Sequence, residues 1–257
     1  MNEFDSNLTI DPDVDTLFLS DDKVFYTVEG EGIYAGVPSV FMRMSMCNLT
    51  CKGFASSDSP YGCDSFVSWS VKNKLTFKEI VDQYYLPQDL ITRLKKGAIL
   101  KLTGGEPLIQ QKQLFKFIAY LKRRFNFVPR IDFETNATIM PIDNWYDVEC
   151  TYTTSPKLKS NGDAEELRYK PEVLNFHARN FSTFKFVVQT EDDIKEINEK
   201  YVDRFNIKNE RVFLMPCCGS RKELIERSLQ VVEWCKEYNY SYSPRLQLLV
   251  WDKALKV

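Results

Sequence analysis

Residues 41–65, FMRMSMCNLTCKGFASSDSPYGCDS, decide how the rest of the chain is read. The stretch leaves an apolar, strand-like run (residues 38–46) and at once delivers Cys47 and Cys51. Cys63 follows after a loop of Gly, Ser, Asp and Pro. Three thiols gathered at the end of a strand read as ligands. Their number is informative, because a closed structural zinc site wants four ligands. A four-iron cluster held by three thiolates keeps one iron open to a substrate or cofactor. Three simply buried thiols, or a zinc site completed by a distant ligand, are the competing readings.

The totals narrow the choice. A chain of 257 residues can build one α/β domain with a real core. A net charge of −2 gives no global basic field, so direct binding of a polynucleotide is disfavoured. No apolar run spans a bilayer and no cleavable signal pattern opens the chain, so the expectation is a cytoplasmic protein without membrane contact. In that reducing compartment seven cysteines point to metal or burial rather than disulfides. The single histidine, His177, argues against multi-histidine zinc chemistry and is expected on the surface.

Along the chain, residues 1–22 read as a loose acidic lead-in, and residues 23–28 and 38–46 as strands. Between them Glu29 and Glu31 sit in a glycine turn with Gly30. Thr76 and Glu79 have capping-box spacing before a helix. Strands are expected at 98–102, 130–133, 150–154, 183–188, 212–215 and 246–251, and helices after 107, over 163–176, after Thr190 and after Ser220. Strand and helix alternate with short connections. The fold is therefore α/β, a partial parallel β/α barrel of about six strands, in one domain spanning 1–257. Ligands of such sheets sit at the carboxyl ends of the strands, and each polar motif falls there. Those motifs are Thr103-Gly104-Gly105-Glu106-Pro107, Glu134-Thr135-Asn136 and Ser155-Pro156-Lys157. Arg43 lies inside an apolar strand, where it needs a partner such as one of the turn glutamates.

Cys47-Asn48-Leu49-Thr50-Cys51 with Cys63-Asp64-Ser65 resembles the cysteine motif of radical S-adenosylmethionine (SAM) enzymes. Val28-Glu29-Gly30-Glu31-Gly32, the run from Gly36 to Arg43, the three strand-end motifs, Phe184 to Val188 and Arg245-Leu246-Gln247 together resemble 7-carboxy-7-deazaguanine synthase. The resemblance covers nearly the whole chain after residue 23. Two departures stand out. Residues 52–62 form an insertion between the second and third cysteines, tolerable because closure entropy grows slowly with loop length. Glu29 and Gln247 stand where the family usually has Gln and His.

The resemblance implies a [4Fe-4S] cluster on Cys47, Cys51 and Cys63, and SAM on the open iron. It implies SAM contacts from Gly104, Gly105, Glu106, Thr135, Asn136, Ser155, Pro156 and Lys157, with Glu106 accepting from the SAM ammonium. Met215 and Pro216 would flank the adenine. Magnesium is implied on Ser65, and pterin contacts on Val28, Glu29, Gly30, Glu31, Arg43, Thr103 and Gln247. The implied reaction is a carbon–nitrogen lyase step turning 6-carboxy-5,6,7,8-tetrahydropterin into 7-carboxy-7-deazaguanine with loss of ammonia, in queuosine biosynthesis. An electron donor such as flavodoxin or ferredoxin and a homodimer are further implied. Another radical SAM enzyme, such as a glycyl-radical activase, is the nearer alternative. A non-enzymatic zinc scaffold is the farther one. Cys217 and Cys218 are not read as a second cluster, since adjacent thiols make poor joint ligands.

Overall fold

The computed structural model describes residues 8–54, 62–180 and 182–252. Its strands are β1 (Thr16–Val28), β2 (Pro38–Met44), β3 (Asn73–Thr76), β4 (Ile99–Gly104), β5 (Ile131–Thr135), β6 (Cys150–Thr154), β7 (Ser182–Val188), β8 (Val212–Pro216) and β9 (Ser241–Tyr242). They form one sheet in the order β3-β1-β2-β4-β5-β6-β7-β8-β9. From β2 to β9 every neighbour pair is parallel, while β1 runs antiparallel to both β2 and β3. The sheet is open, with β3 and β9 at its edges. The turn after β1 reaches across to the far side, where Leu246 N–H donates to the Gly30 carbonyl and Gly32 N–H to Ser243 Oγ.

The register explains both faces. Met42, Leu102, Phe133 and Tyr152 are register partners along one face. That face is apolar and closed by helices. Side chains such as Met42, Leu102, Phe117 and Phe133 are fully buried, each contributing roughly 1.5–3 kcal/mol. A second core lies beneath β7 and β8, built on Phe184, Phe186, Tyr201 and Leu214. The opposite face alternates with the first, as the two-residue strand period requires. It presents Arg43 beside Thr103, Lys101 beside Asp132, and Glu134 beside Thr153. Polar residues thus line the interior of the partial barrel.

Local signals act where expected. Thr76 and Glu79 cap each other reciprocally, and the Asp193 carboxylate accepts from Thr190 N–H at 3.1 Å. Several expectations are corrected. Residues 16–22, read as lead-in, belong to β1, because the apolar alternation Leu17, Leu19 buries one side of that strand. Residues 1–7 lie outside the described residues. Residues 246–251, read as a strand, are a helix (Leu246–Trp251) packed on the helix Arg221–Tyr238, because β9 has already taken the sheet edge. The helix expected over 163–176 is two helices, Glu165–Arg168 and Pro171–Arg179, with Pro171 starting the second. His177 is fully buried, its Nδ1 3.0 Å from Ser182 Oγ, and burial lowers its pKa to about 3. Of the expected insertion 52–62, residues 55–61 lie outside the described residues.

Candidate active site

The site grows from the end of β2. Three backbone hydrogen bonds fix the exit of that strand: Met46 N–H to the Trp69 carbonyl, Gly105 N–H to Met44, and Glu106 N–H to Met46. The glycines of the β4 motif serve this approach. A Cβ on Gly105 would stand 1.8 Å from the Met46 carbonyl oxygen, and Gly104 has φ +111°. The two strand ends are thereby locked together, which places Cys47 beside the Glu106 turn.

Cys51 and Cys63 line one cleft, and Gly62 packs on the backbone of Cys51 and Lys52. Cys51 lies near enough to both Cys47 and Cys63 to add to the rise of their thiols. All three are free thiols. Burial pushes Cys47 up to about 12 and Cys63 to about 11, and raises Cys51 as well. They are poor thiolates until a cation arrives. Among the described residues no three His, Cys, Asp or Glu side chains converge on one point as a single metal ion requires. Soft thiols that neighbour one another without sharing a centre suit a cluster, in which each sulfur takes its own iron. The donor set therefore fits the [4Fe-4S] group.

Glu106 is wholly enclosed. Its carboxylate accepts from Leu108 N–H (3.0 Å), Thr135 Oγ1 (2.9 Å) and Asn136 N–H (2.7 Å). Burial raises its pKa to about 7 against those donors. It pins the end of β5 to the β4 turn. Asn136 faces Cys47, and Ser155 N–H donates to the Thr135 carbonyl. Lys157 Nζ donates to Ser155 Oγ at 2.9 Å, and both line the cleft with Met215. Pro156 joins them along the chain.

The barrel interior supplies the other wall. Lys185, buried in β7, lies 2.5 Å from both Glu31 and Glu134. Lys101, buried in β4, pairs with Asp132 (2.7 Å) and Glu29 (3.0 Å). Arg245 reaches Glu31 at 3.0 Å and also pairs with Asp64. Burial alone would raise Glu31, but Lys185 and Arg245 hold its carboxyl far below the ordinary value. Burial wins at Glu29, whose pKa is raised despite Lys101. Gln247 Nε2 donates to Glu31 at 2.6 Å, while Gln247 Oε1 has no partner among the described residues. Thr103 Oγ1 lies 3.4 Å from Glu134, while the exposed Val28 ends β1 opposite Pro38.

Arg43 is not paired with a turn glutamate. It pairs with Asp22, on the strand read as lead-in, and donates to Ser65 Oγ at 3.1 Å. Ser65 in turn lies 3.2 Å from Asp64. Sequence reasoning gave no role to Lys101, Asp132, Lys185 or Arg245. The signal was present: Lys101, Asp132 and Lys185 each interrupt an apolar strand at an inward position.

Three free thiols at a strand end, opening on a polar half-barrel, define a class: this is a radical SAM enzyme with an open β/α barrel. A family model described as "4Fe-4S single cluster domain" matches residues 28–140. The chain is 30% identical over 258 residues to the 7-carboxy-7-deazaguanine synthase of Halobacterium salinarum, covering 90% of each. It is 29% identical over 238 residues to the Hyperthermus butylicus protein of the same name, covering 89% of this chain and 91% of that one. The crystal structure of QueE from Escherichia coli has the same fold, with TM-score 0.59 and 19% identity over 89% of this chain and 93% of that one. The chain belongs to the 7-carboxy-7-deazaguanine synthase family.

Proposed function

We propose that the protein converts 6-carboxy-5,6,7,8-tetrahydropterin to 7-carboxy-7-deazaguanine and ammonia for 7-deazapurine and queuosine biosynthesis. One observation carries this reading: a single cleft is lined both by Cys51 and Cys63 and by the interior charges Glu31, Glu134, Lys185 and Arg245. Cluster and substrate would therefore meet in one enclosed space. Cys47, Cys51 and Cys63 would hold three irons of the cluster. When bound, the reduced cluster and SAM supply a hydrogen-abstracting radical.

The chain's residues bind and orient. Gly104, Gly105 and Glu106 would cradle the methionine end of SAM, with Thr135, Asn136, Ser155, Pro156 and Lys157 along its side. Lys157 carries the positive charge suited to a carboxylate. Val28, Glu29, Gly30, Glu31, Arg43, Thr103 and Gln247 would hold the pterin. Glu31, held ionised, and Glu134 line the cleft as acceptors for substrate donors. The amino-pyrimidinone edge offers such donors. Ser65 would give magnesium one oxygen, leaving its other positions to water and substrate.

A small flavin or iron–sulfur protein would deliver the electron. The family resemblance further implies that two copies of the chain pair. Free cysteines suit the cytoplasm. Among the described residues no helix is long and apolar enough to cross a membrane. The deciding experiment is anaerobic reconstitution followed by incubation with reductant, SAM and the carboxypterin. The proposal expects a deazaguanine product and ammonia. SAM cleavage without that product would reject the substrate.

A further inference from the structure

Each of the three cysteine sulfurs faces one side-chain N–H donor, and the three donors come from different parts of the chain. Trp69 Nε1–H points at Cys63 Sγ (3.5 Å), Asn161 Nδ2 at Cys51 Sγ (3.6 Å) and Asn136 Nδ2 at Cys47 Sγ (3.9 Å). The two amides cannot be turned round. Asn161 Oδ1 already accepts from Asp163 N–H at 3.0 Å, and its second amide hydrogen goes to Asp163 Oδ2 at 2.8 Å. Asn136 Oδ1 accepts from both the N–H and the hydroxyl of Thr138, and Nδ2 also donates to Asn48 Oδ1. In each amide the remaining hydrogen is left for sulfur.

The donors are rigidly mounted. Asn161 is fully buried, and Asp163 grips the cluster loop through Thr50 N–H, Thr50 Oγ1 and Cys51 N–H. Gly53 lies so close to this clamp that an added Cβ would stand 2.0 Å from the Ser160 carbonyl oxygen. Trp69 is held by its own carbonyl, which accepts from Met46 N–H, and by the edge of Phe66 at 5.1 Å.

Resting on the cluster reading above, we infer that Trp69, Asn161 and Asn136 set the reduction potential of the cluster, one donor to each ligating sulfur. An added electron increases negative charge on the sulfurs, so each hydrogen bond favours the reduced state more than the oxidised one. These are positioning residues that act through the thiolates.

The test is an EPR-monitored redox titration of the anaerobically reconstituted protein, with iron and sulfide counted in every sample. Trp69→Phe keeps an aromatic ring and removes only the N–H. It should retain full iron and make reduction about tenfold less favourable, a shift of ~59 mV to more negative potential for one electron. Asn161→Leu should shift the potential the same way where it retains the cluster. An unchanged potential in iron-replete Trp69→Phe overturns the inference, whatever Asn161→Leu does. Wild-type protein that binds no iron would instead reject the cluster reading itself.

Discussion

The cleft has two walls, and they are built on opposite principles. Cys51 and Cys63 line one wall, and with Cys47 they are free thiols raised by burial. The other wall carries Lys185 and Arg245, each in contact with two carboxylates among Glu31, Asp64 and Glu134, and the buried Lys101 pairs likewise with Glu29 and Asp132. The thiol wall is incomplete without a cationic group. The charged wall is largely satisfied by itself and adds shape and sign rather than a vacancy. Removing a group should therefore cost loading on one wall and folding on the other.

The largest effect is expected at the thiols. Cys63→Ala should reduce bound iron to a small fraction of the wild-type content after anaerobic reconstitution and abolish SAM cleavage. Its urea midpoint in the cluster-free state should be nearly unchanged. A full cluster in this variant would break the distinction between the walls.

Lys185→Met tests the other side. It takes the shared cation from Glu134 and leaves Glu31 with Arg245 alone, and breaking such a buried pair costs about 3–5 kcal/mol. Equilibrium urea unfolding of the cluster-free protein would measure it, and a loss below ~1 kcal/mol would mean that the interior charges are solvated.

A pH dependence sharpens the comparison. Glu31 has a folded pKa well below its ordinary 4.5, so its contribution is fully present above about pH 4.5. It is lost progressively as pH falls toward the folded value. Glu31→Gln should flatten the acid limb of a plot of unfolding free energy against pH, lowering its slope by up to about 1.4 kcal/mol per pH unit. An acid limb as steep as that of the wild type would show that Glu31 is not held ionised by its neighbours.

The smallest effect belongs outside the cleft. Thr76→Ala removes one half of a capping box at an exposed helix start and should cost ~1 kcal/mol with no change in iron content. A measurable loss of iron would show that the walls are coupled to the periphery.

These differences also mark what could be read in the sequence. Helix starts at Thr76 and Thr190 were legible because their physics is local, and the strand-end motifs were legible because parallel topology fixes where they point. The run Leu246-Gln247-Leu248-Leu249-Val250-Trp251 was not, since a short apolar stretch lacks a period that separates strand from helix. Its helical state follows from β9 occupying the sheet edge, a long-range fact. Asp22 as the partner of Arg43 was hidden because the acidic lead-in masked the alternation of Leu17 and Leu19. The buried lysines were visible as interruptions of apolar strands. Their partners required the register across β4, β5 and β7, which spacing alone does not give. His177 was misplaced because a polar-looking helix still buries one face, here against Tyr152 and Ser182.

The most direct test of the account is the EPR spectrum of the anaerobically reconstituted, reduced protein with and without SAM. A three-thiol cluster with one open iron predicts about four irons and four sulfides per chain and a signal that changes when SAM is added. Zinc in place of iron, or a cluster signal indifferent to saturating SAM, would contradict it.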